Sequence, residues 1–247
     1  MSISYETLKE NISDAELVLV GIGEEFEENF QTISFELQDK ELWQKELLKK
    51  NYLEKKACEK HVRAYNQLAA LLEGKNYFVV TLCKDGYIKQ SSLDQDRIVA
   101  PCGGYDMVQC DRGCNENLLD SALYQEQFHK VLNEGEDGDR PRCPKCGAYL
   151  SFNNICAEKY LENGYLPQWE KYTKWLQGTI NRKLCILELG AGLVFPNIIR
   201  WPFEKVAFYN NKAKYFRVHS MMSELTKEIS EKGYSCNENA LEFLLHM

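Results

Sequence analysis

The chain has four histidines in 247 residues, no excess of basic charge and no long apolar run. Each shortage excludes something. Net charge is −7 and the pI is about 5.3, whereas a nucleic-acid binder usually presents a basic face. Short basic pairs such as Lys49-Lys50 and Lys55-Lys56 alternate with acids, the pattern of a solvated helix face. Nucleic acid is therefore not an expected partner. No apolar stretch approaches the ~20 residues needed to span a membrane. The opening "MSISYETLKENISDAE" lacks the basic start and apolar centre of a signal peptide. The expectation is a cytoplasmic protein with no membrane partner. There is no internal repeat and no long low-complexity segment. Ten cysteines in such a protein read as thiols and metal ligands rather than disulfides.

What is present is enough to build a core: 44% of residues are hydrophobic and 12% aromatic. Short apolar runs at 17–23, 77–82, 97–101, 183–190, 205–210 and 215–220 read as buried strands. Helical segments are expected over 39–72, near 118–133, and at 167–180 and 221–232. This alternation predicts an α/β fold, a Rossmann-like and largely parallel sheet covered on both faces. The pattern breaks between about 103 and 160, which carries glycines, charges and five of the ten cysteines. The expected organisation is a nucleotide-binding domain from 1–102 and 161–247, with an inserted small zinc-binding module at 103–160. The acidic stretch "NEGEDGDRPR" (133–142) would be a loop of that module.

Cys110-x3-Cys114 is followed by Cys143-x2-Cys146, two close pairs about thirty residues apart. That spacing matches a closed, four-cysteine zinc site. Four thiolates leave no open position, so the ion would be structural, worth on the order of 10 kcal/mol to local folding. His129, on a helix between the pairs, reads as a surface residue.

Two strands end in glycine turns. Gly21 and Gly23 close "LVLVGIG", and Gly190-Ala191-Gly192 closes "KLCILELGAG". Such turns let the backbone approach a phosphate, with the next helix aiming its N-terminus at the ligand. Two on one sheet suggest a nucleotide at its switch point. Glu24 and Glu25 follow the first turn at once. Carboxylates suit a first helical turn, but they would also repel a pyrophosphate on the same amides.

Taken in order, these parts resemble the sirtuins. "LVLVGIG" resembles the opening cofactor strand and turn, and "NYFVVTLCKDG" the strand that leads into a Thr-x-Asn-x-Asp motif. "RIVAPCGGYDMVQC" resembles the strand that carries a catalytic histidine into the zinc module, and "RPRCPKCGAYL" the second zinc pair. "LELGAGLVFPNIIRWPFE" and "KYFRVHS" resemble the closing strands. "CGGYDMVQC" and "IIRWPFE" look nearest to bacterial macrodomain-associated sirtuins, a type linked to ADP-ribosyl transfer. The resemblance implies NAD as cofactor, zinc in the module, a protein substrate or partner, and either deacylation or ADP-ribosyl transfer.

The family's roles fall on particular positions. Gly21 and Gly23 meet the first cofactor turn. The Ser-Gly-Ile-Pro-x-Phe-Arg loop that would follow is replaced by "EEFEENFQTISFE", which has no arginine. Cys83 stands at the asparagine position and Asp85 keeps the aspartate. Cys102 stands where the histidine base is expected. Gly190, Ala191 and Gly192 form the second cofactor turn, and His219 takes the place of an asparagine on the adenosine side. Cys102, Cys83 and Asp85 are thus the candidate catalytic residues. A missing general base costs ~10²–10⁴ in rate, and a thiol with an ordinary pKa of ~8.5 replaces it poorly. Cys83 and Cys102 are expected to line one pocket, where two thiols could form a redox pair, bind a metal, attack an electrophile or simply pack.

Three functions remain open: an NAD-dependent protein-modifying enzyme, a non-catalytic module that binds a nucleotide or protein, and a thiol sensor. His61 in the long helix and His246 in the tail offer no site. Cys58, Cys156, Cys185 and Cys236 have no partner spacing.

Overall fold

A computed structural model describes residues 5–134 and 140–247. Helix α1 (Tyr5–Asp14) leads into strand β1 (Leu17–Ile22), followed by α2 (Leu42–Lys55), α3 (Glu59–Leu71), β2 (Asn76–Thr81) and β3 (Ile98–Val99). Strands β4 (Gly103–Cys110) and β5 (Leu119–Asp120), helix α4 (Gln125–Glu134) and strand β6 (Leu150–Asn154) come next. The chain closes with α5 (Leu166–Gln177), β7 (Leu184–Leu189), α6 (Arg200–Tyr209), β8 (Ala213–Val218), β9 (Gly233–Cys236) and α7 (Ala240–Leu245). Among the described residues no helix is long and apolar enough to cross a membrane.

Six strands form a parallel sheet in the order β3-β2-β1-β7-β8-β9. The chain is therefore mostly parallel α/β, as its alternating pattern predicts. Leu17 pairs with Asn76 and Leu184, and Ile22 with Thr81 and Leu189, so three central strands start and end level. Their carboxyl ends share one edge. Strand order reverses between β1 and β7, which makes a crevice there the natural ligand site. Both faces are buried because the strands alternate between two cores. Val18, Val20 and Ile22 pack into one, and Leu17 and Leu19 into the other. A second sheet, antiparallel in the order β5-β4-β6, lies within 103–154.

Several expected elements differ. The run 39–72 is two helices, parted where Lys56 takes extended backbone. Its apolar period continues across the break, so the sequence gives no sign of it. The run 205–210 is the second half of α6 rather than a strand. Phe203 and Ala207 are buried four residues apart, a helical period that six apolar residues cannot distinguish from strand. The expected helix at 221–232 is an irregular loop with one 3-10 turn at Ser230–Lys232. Side chains satisfy its backbone instead: Arg217 donates to the Glu224 carbonyl, and His219 Nδ1 accepts the Met221 and Met222 N–H groups. The expected helix near 118–133 begins only at Gln125, after β5 and a 3-10 turn. Of the acidic stretch 133–142, residues 135–139 lie outside the described residues.

Strands β4 and β6 escape a reading based on apolar runs because they bury amides. Asn153 donates to Gln109 Oε1 at 2.6 Å and to the Leu161 carbonyl at 2.8 Å, and Gln109 donates to the Lys159 carbonyl at 2.6 Å.

The second core holds a charged network. Glu188 on β7 and Arg217 on β8 are 0% and 1% exposed. Glu188 accepts Arg217 Nε at 2.7 Å and Nη2 at 3.0 Å, accepts the Tyr215 hydroxyl, and lies 3.2 Å from Arg200 Nη2. Arg217 also reaches Glu204 at 2.7 Å. Removing one partner of such a pair leaves an uncompensated charge in a dry core, at a cost of about 3–5 kcal/mol. Glu188→Ala should therefore lower the urea midpoint by that equivalent with little change in slope. A midpoint equal to the parent's would contradict it.

Candidate functional site

The two glycine turns meet at the crevice. Gly23 donates to the Leu189 carbonyl at 2.8 Å, and Glu25 N–H to the Gly190 carbonyl at 3.1 Å. A Cβ on Gly23 would lie 2.1 Å from Ala191 Cα, so only glycine permits this backbone approach. Gly21 lies within β1, pressed by Ile199 and Phe203. The helix expected after the first turn is absent. Glu24–Phe26 form a single 3-10 turn, and the next helix is α2, from Leu42. The helix N-terminus that meets this turn is instead that of α7, whose first residue, Ala240, donates its N–H to Glu25.

Four carboxylates follow Gly23, and each is fastened. Glu24 accepts the Gly192 N–H at 2.6 Å. Glu25 accepts the Ser220 N–H at 3.0 and 3.3 Å, the Ser220 hydroxyl and the Ala240 N–H at 3.3 Å, and lies 3.2 Å from His219 Nδ1. Glu27 pairs with Lys84 at 2.7 Å and Glu28 with Lys56. On the far side Arg200 donates to the Ala191 carbonyl at 2.6 Å and the Met222 carbonyl at 2.9 Å. Lys84, Arg200 and Ser220 hold the crevice together, and the motifs in the sequence do not single them out. Ser220 is the neighbour of His219, but nothing in a helical arginine's surroundings announces that it props a distant turn.

Asp85 sits where the β2 end meets this segment. Its Oδ2 accepts the Glu28 N–H at 3.1 Å and its Oδ1 the Tyr87 N–H at 3.0 Å. Burial pushes its carboxyl up to about 7, against the pull of those two bonds. Cys83 donates to the Gly23 carbonyl at 3.4 Å, and burial pushes its thiol well up.

Cys102 is fully buried, and burial pushes its thiol up to about 12. It packs with Val80, Leu82, Val99 and Ile199 in one core, whereas Cys83 packs in the other with Val20, Ile22 and Phe26. The structure does not bring the two thiols together as a pair. Cys83 borders a cavity of about 550 Å³ between the edge of the parallel sheet and the antiparallel one, with Lys84, Gly103, Gly104, Asn153 and Tyr165. Cys102 does not line it. His219 is buried, and burial pushes its pKa down. Its neutral ring holds the following loop through the Met221 and Met222 amides.

Cys110, Cys114, Cys143 and Cys146 converge, their Sγ atoms all within 4.8 Å of one another. Cys110–Cys146 and Cys114–Cys143 are each 3.6 Å apart. A tetrahedron with metal–sulfur bonds of ~2.3 Å has edges of ~3.8 Å, so this donor set fits such an ion.

The chain has the sirtuin fold. A solved Sir2 homologue in complex with NAD superposes with a TM-score of 0.64 at 14% identity, covering 98% of this chain and 92% of that one. A Sir2–p53 peptide–NAD⁺ complex gives 0.61 at 14%, covering 99% and 97%. No family model matches the chain. Among curated proteins, a protein ADP-ribosyltransferase of Staphylococcus aureus (strain Mu50 / ATCC 700699) is 25% identical over 185 residues. The match takes in 72% of this chain and 58% of that protein. A probable bifunctional ADP-ribose hydrolase/ADP-ribosyltransferase of Fusarium oxysporum f. sp. cubense is 25% identical over 154 residues, 59% of this chain and 26% of that protein. The chain thus spans little more than half of the first relative and about a quarter of the second.

The burial of Cys83 and Cys102 predicts that both resist maleimide in the native chain while half-buried Cys58, outside the four-cysteine cluster, reacts. Peptide mapping after labelling checks this; modification of Cys102 without unfolding would contradict it.

Proposed function

We propose that this chain is an NAD-dependent protein-modifying enzyme of the ADP-ribosyltransferase kind. The observation that carries this reading is the contrast between two positions. Asp85 stays at the crevice with a carboxyl held near neutrality, while the position of a deacylase base holds a sealed thiol, Cys102. ADP-ribosyl transfer asks less of a base than deacylation, because the acceptor brings its own nucleophile. The names of the two curated relatives support the same choice.

NAD, when bound, supplies a ribose carbon made electrophilic by the departure of nicotinamide. The amides of Gly192 and Ser220 are the donors suited to its phosphates, and in the arrangement described they meet carboxylates. A diphosphate fits there only with Glu24 and Glu25 turned away. Asp85, with both oxygens on the Glu28 and Tyr87 N–H groups, is a positioning residue that holds the segment after β1 beside the 550 Å³ cavity next to Cys83, which is large enough to admit a side chain of a protein substrate. The four-cysteine cluster is assigned to a structural zinc that holds the insert and takes no part in the reaction.

A second reading, a non-catalytic module that binds protein or nucleotide, is favoured by one observation: the phosphate-facing amides already have acceptors within the chain.

Incubation with NAD and candidate protein acceptors should release nicotinamide, and Asp85→Ala should abolish the release. No release with any acceptor would favour the second reading. The rate should climb with pH through about 7 as Asp85 ionises. Stability should run the other way. A carboxyl raised from an ordinary ~3.9 in the unfolded chain contributes stability at low pH that is lost as pH rises through about 7. Asp85→Ala should remove that slope from a pH series of thermal melts.

The purified chain should carry one zinc per molecule by elemental analysis. Chelation, or Cys143→Ser, should lower the melting temperature and open the insert to protease. A metal-free chain that melts at the same temperature would remove zinc from the account.

A further inference from the structure

Of the four carboxylates after Gly23, Glu27 and Glu28 each have a lysine, Lys84 and Lys56. Among the described residues Glu24 and Glu25 lie within ion-pair distance of no lysine or arginine. Their oxygens go to N–H and O–H donors of three other segments: Gly192 after β7, Ser220 after β8, and Ala240. One oxygen, Glu24 Oε1, is buried with no partner. Carboxylates set on backbone amides at the carboxyl ends of a parallel sheet occupy the place of an anionic ligand.

We propose that Glu24 and Glu25 form a built-in anion plug, an autoinhibitory contact that holds the nucleotide crevice closed to a diphosphate until the Glu24–Phe26 turn is displaced. The proposal rests on the reading of the crevice as a dinucleotide site. The plug belongs to the backbone as well as to side chains. Glu25 N–H is bonded to the Gly190 carbonyl, and a Cβ on Gly190 would lie 2.6 Å from Glu25 Cβ. A diphosphate that approached the same donors would meet two negative groups and would have to replace every bond they make. The two carboxylates therefore act as competitive occupants with an effective concentration set by the chain itself. Whatever lifts the turn, a partner protein or a change at its packed base, would switch the site on.

The test is titration calorimetry of the full chain with ADP-ribose, comparing the parent, Glu24→Ala/Glu25→Ala and Glu24→Gln/Glu25→Gln. The glutamine pair keeps shape and one acceptor per side chain while removing charge, so it remains informative if the alanine pair fails to fold. Glu27→Gln serves as a control, since Glu27 faces Lys84 instead of the cradle. The expected result is weak binding by the parent and the control, and binding about 10- to 100-fold tighter in the double variants, the scale of a charged hydrogen bond gained or lost. Micromolar or tighter binding by the parent, matched by the variants, would overturn the plug and leave the crevice reading in place. No binding by any folded form would overturn both.

Discussion

Carboxylates that find their donors inside the fold hold this molecule together at the carboxyl-end edge of its parallel sheet. Glu188 neutralises Arg217 in a dry core and so fixes β7 against β8. Glu24, Glu25 and Glu27 then tie the segment after β1 to the ends of β7, β8 and β2, and Asp85 after β2 accepts the Glu28 N–H. Each bond is modest, but each acid would be costly if left alone. The segment carries no α-helix, and carboxylate contacts shape it instead.

The same logic reaches the antiparallel insert. Glu46 turns inward from α2 to accept the Tyr105 hydroxyl at 3.0 Å and Asn154 Nδ2 at 3.2 Å. A helix between two strands of the parallel sheet is thereby keyed to β4 and β6. The four cysteines close the other end of β4, at Cys110. The cavity beside Cys83 is lined from both sheets, by Ile98 of the parallel one and by Gly103, Gly104 and Asn153 of the antiparallel one, so its shape depends on how they are held together.

Much of the parallel sheet was legible because its strands are buried on both faces and read as unbroken apolar runs, "LVLVGI" and "LCILEL" among them. The cysteine cluster was legible from spacing alone. The rest depended on partners distant in sequence. Strands β4 and β6 bury Gln109, Asn153 and Asn154, whose polarity hides them until their mutual bonds are seen. Glu24 and Glu25 read as the start of a helix that would repel phosphate. Their acceptance of the Gly192 and Ser220 amides required knowing that residues almost 170 and 200 positions away stand beside them. Cys83 and Cys102 shared a region of the sequence-based map but fall in different cores, because residues near strand ends are parted by the face on which they pack.

The sealed position of Cys102 limits what can be placed there. A thiol is far smaller than an imidazole, and Cys102 is wholly excluded from solvent in the core that also holds Val80, Leu82, Val99 and Ile199. Interiors packed to this degree resist enlargement at one position unless neighbours shrink. A histidine placed there would enter filled space and would have to displace its neighbours. A larger side chain is therefore admitted at this position only together with compensating changes around it.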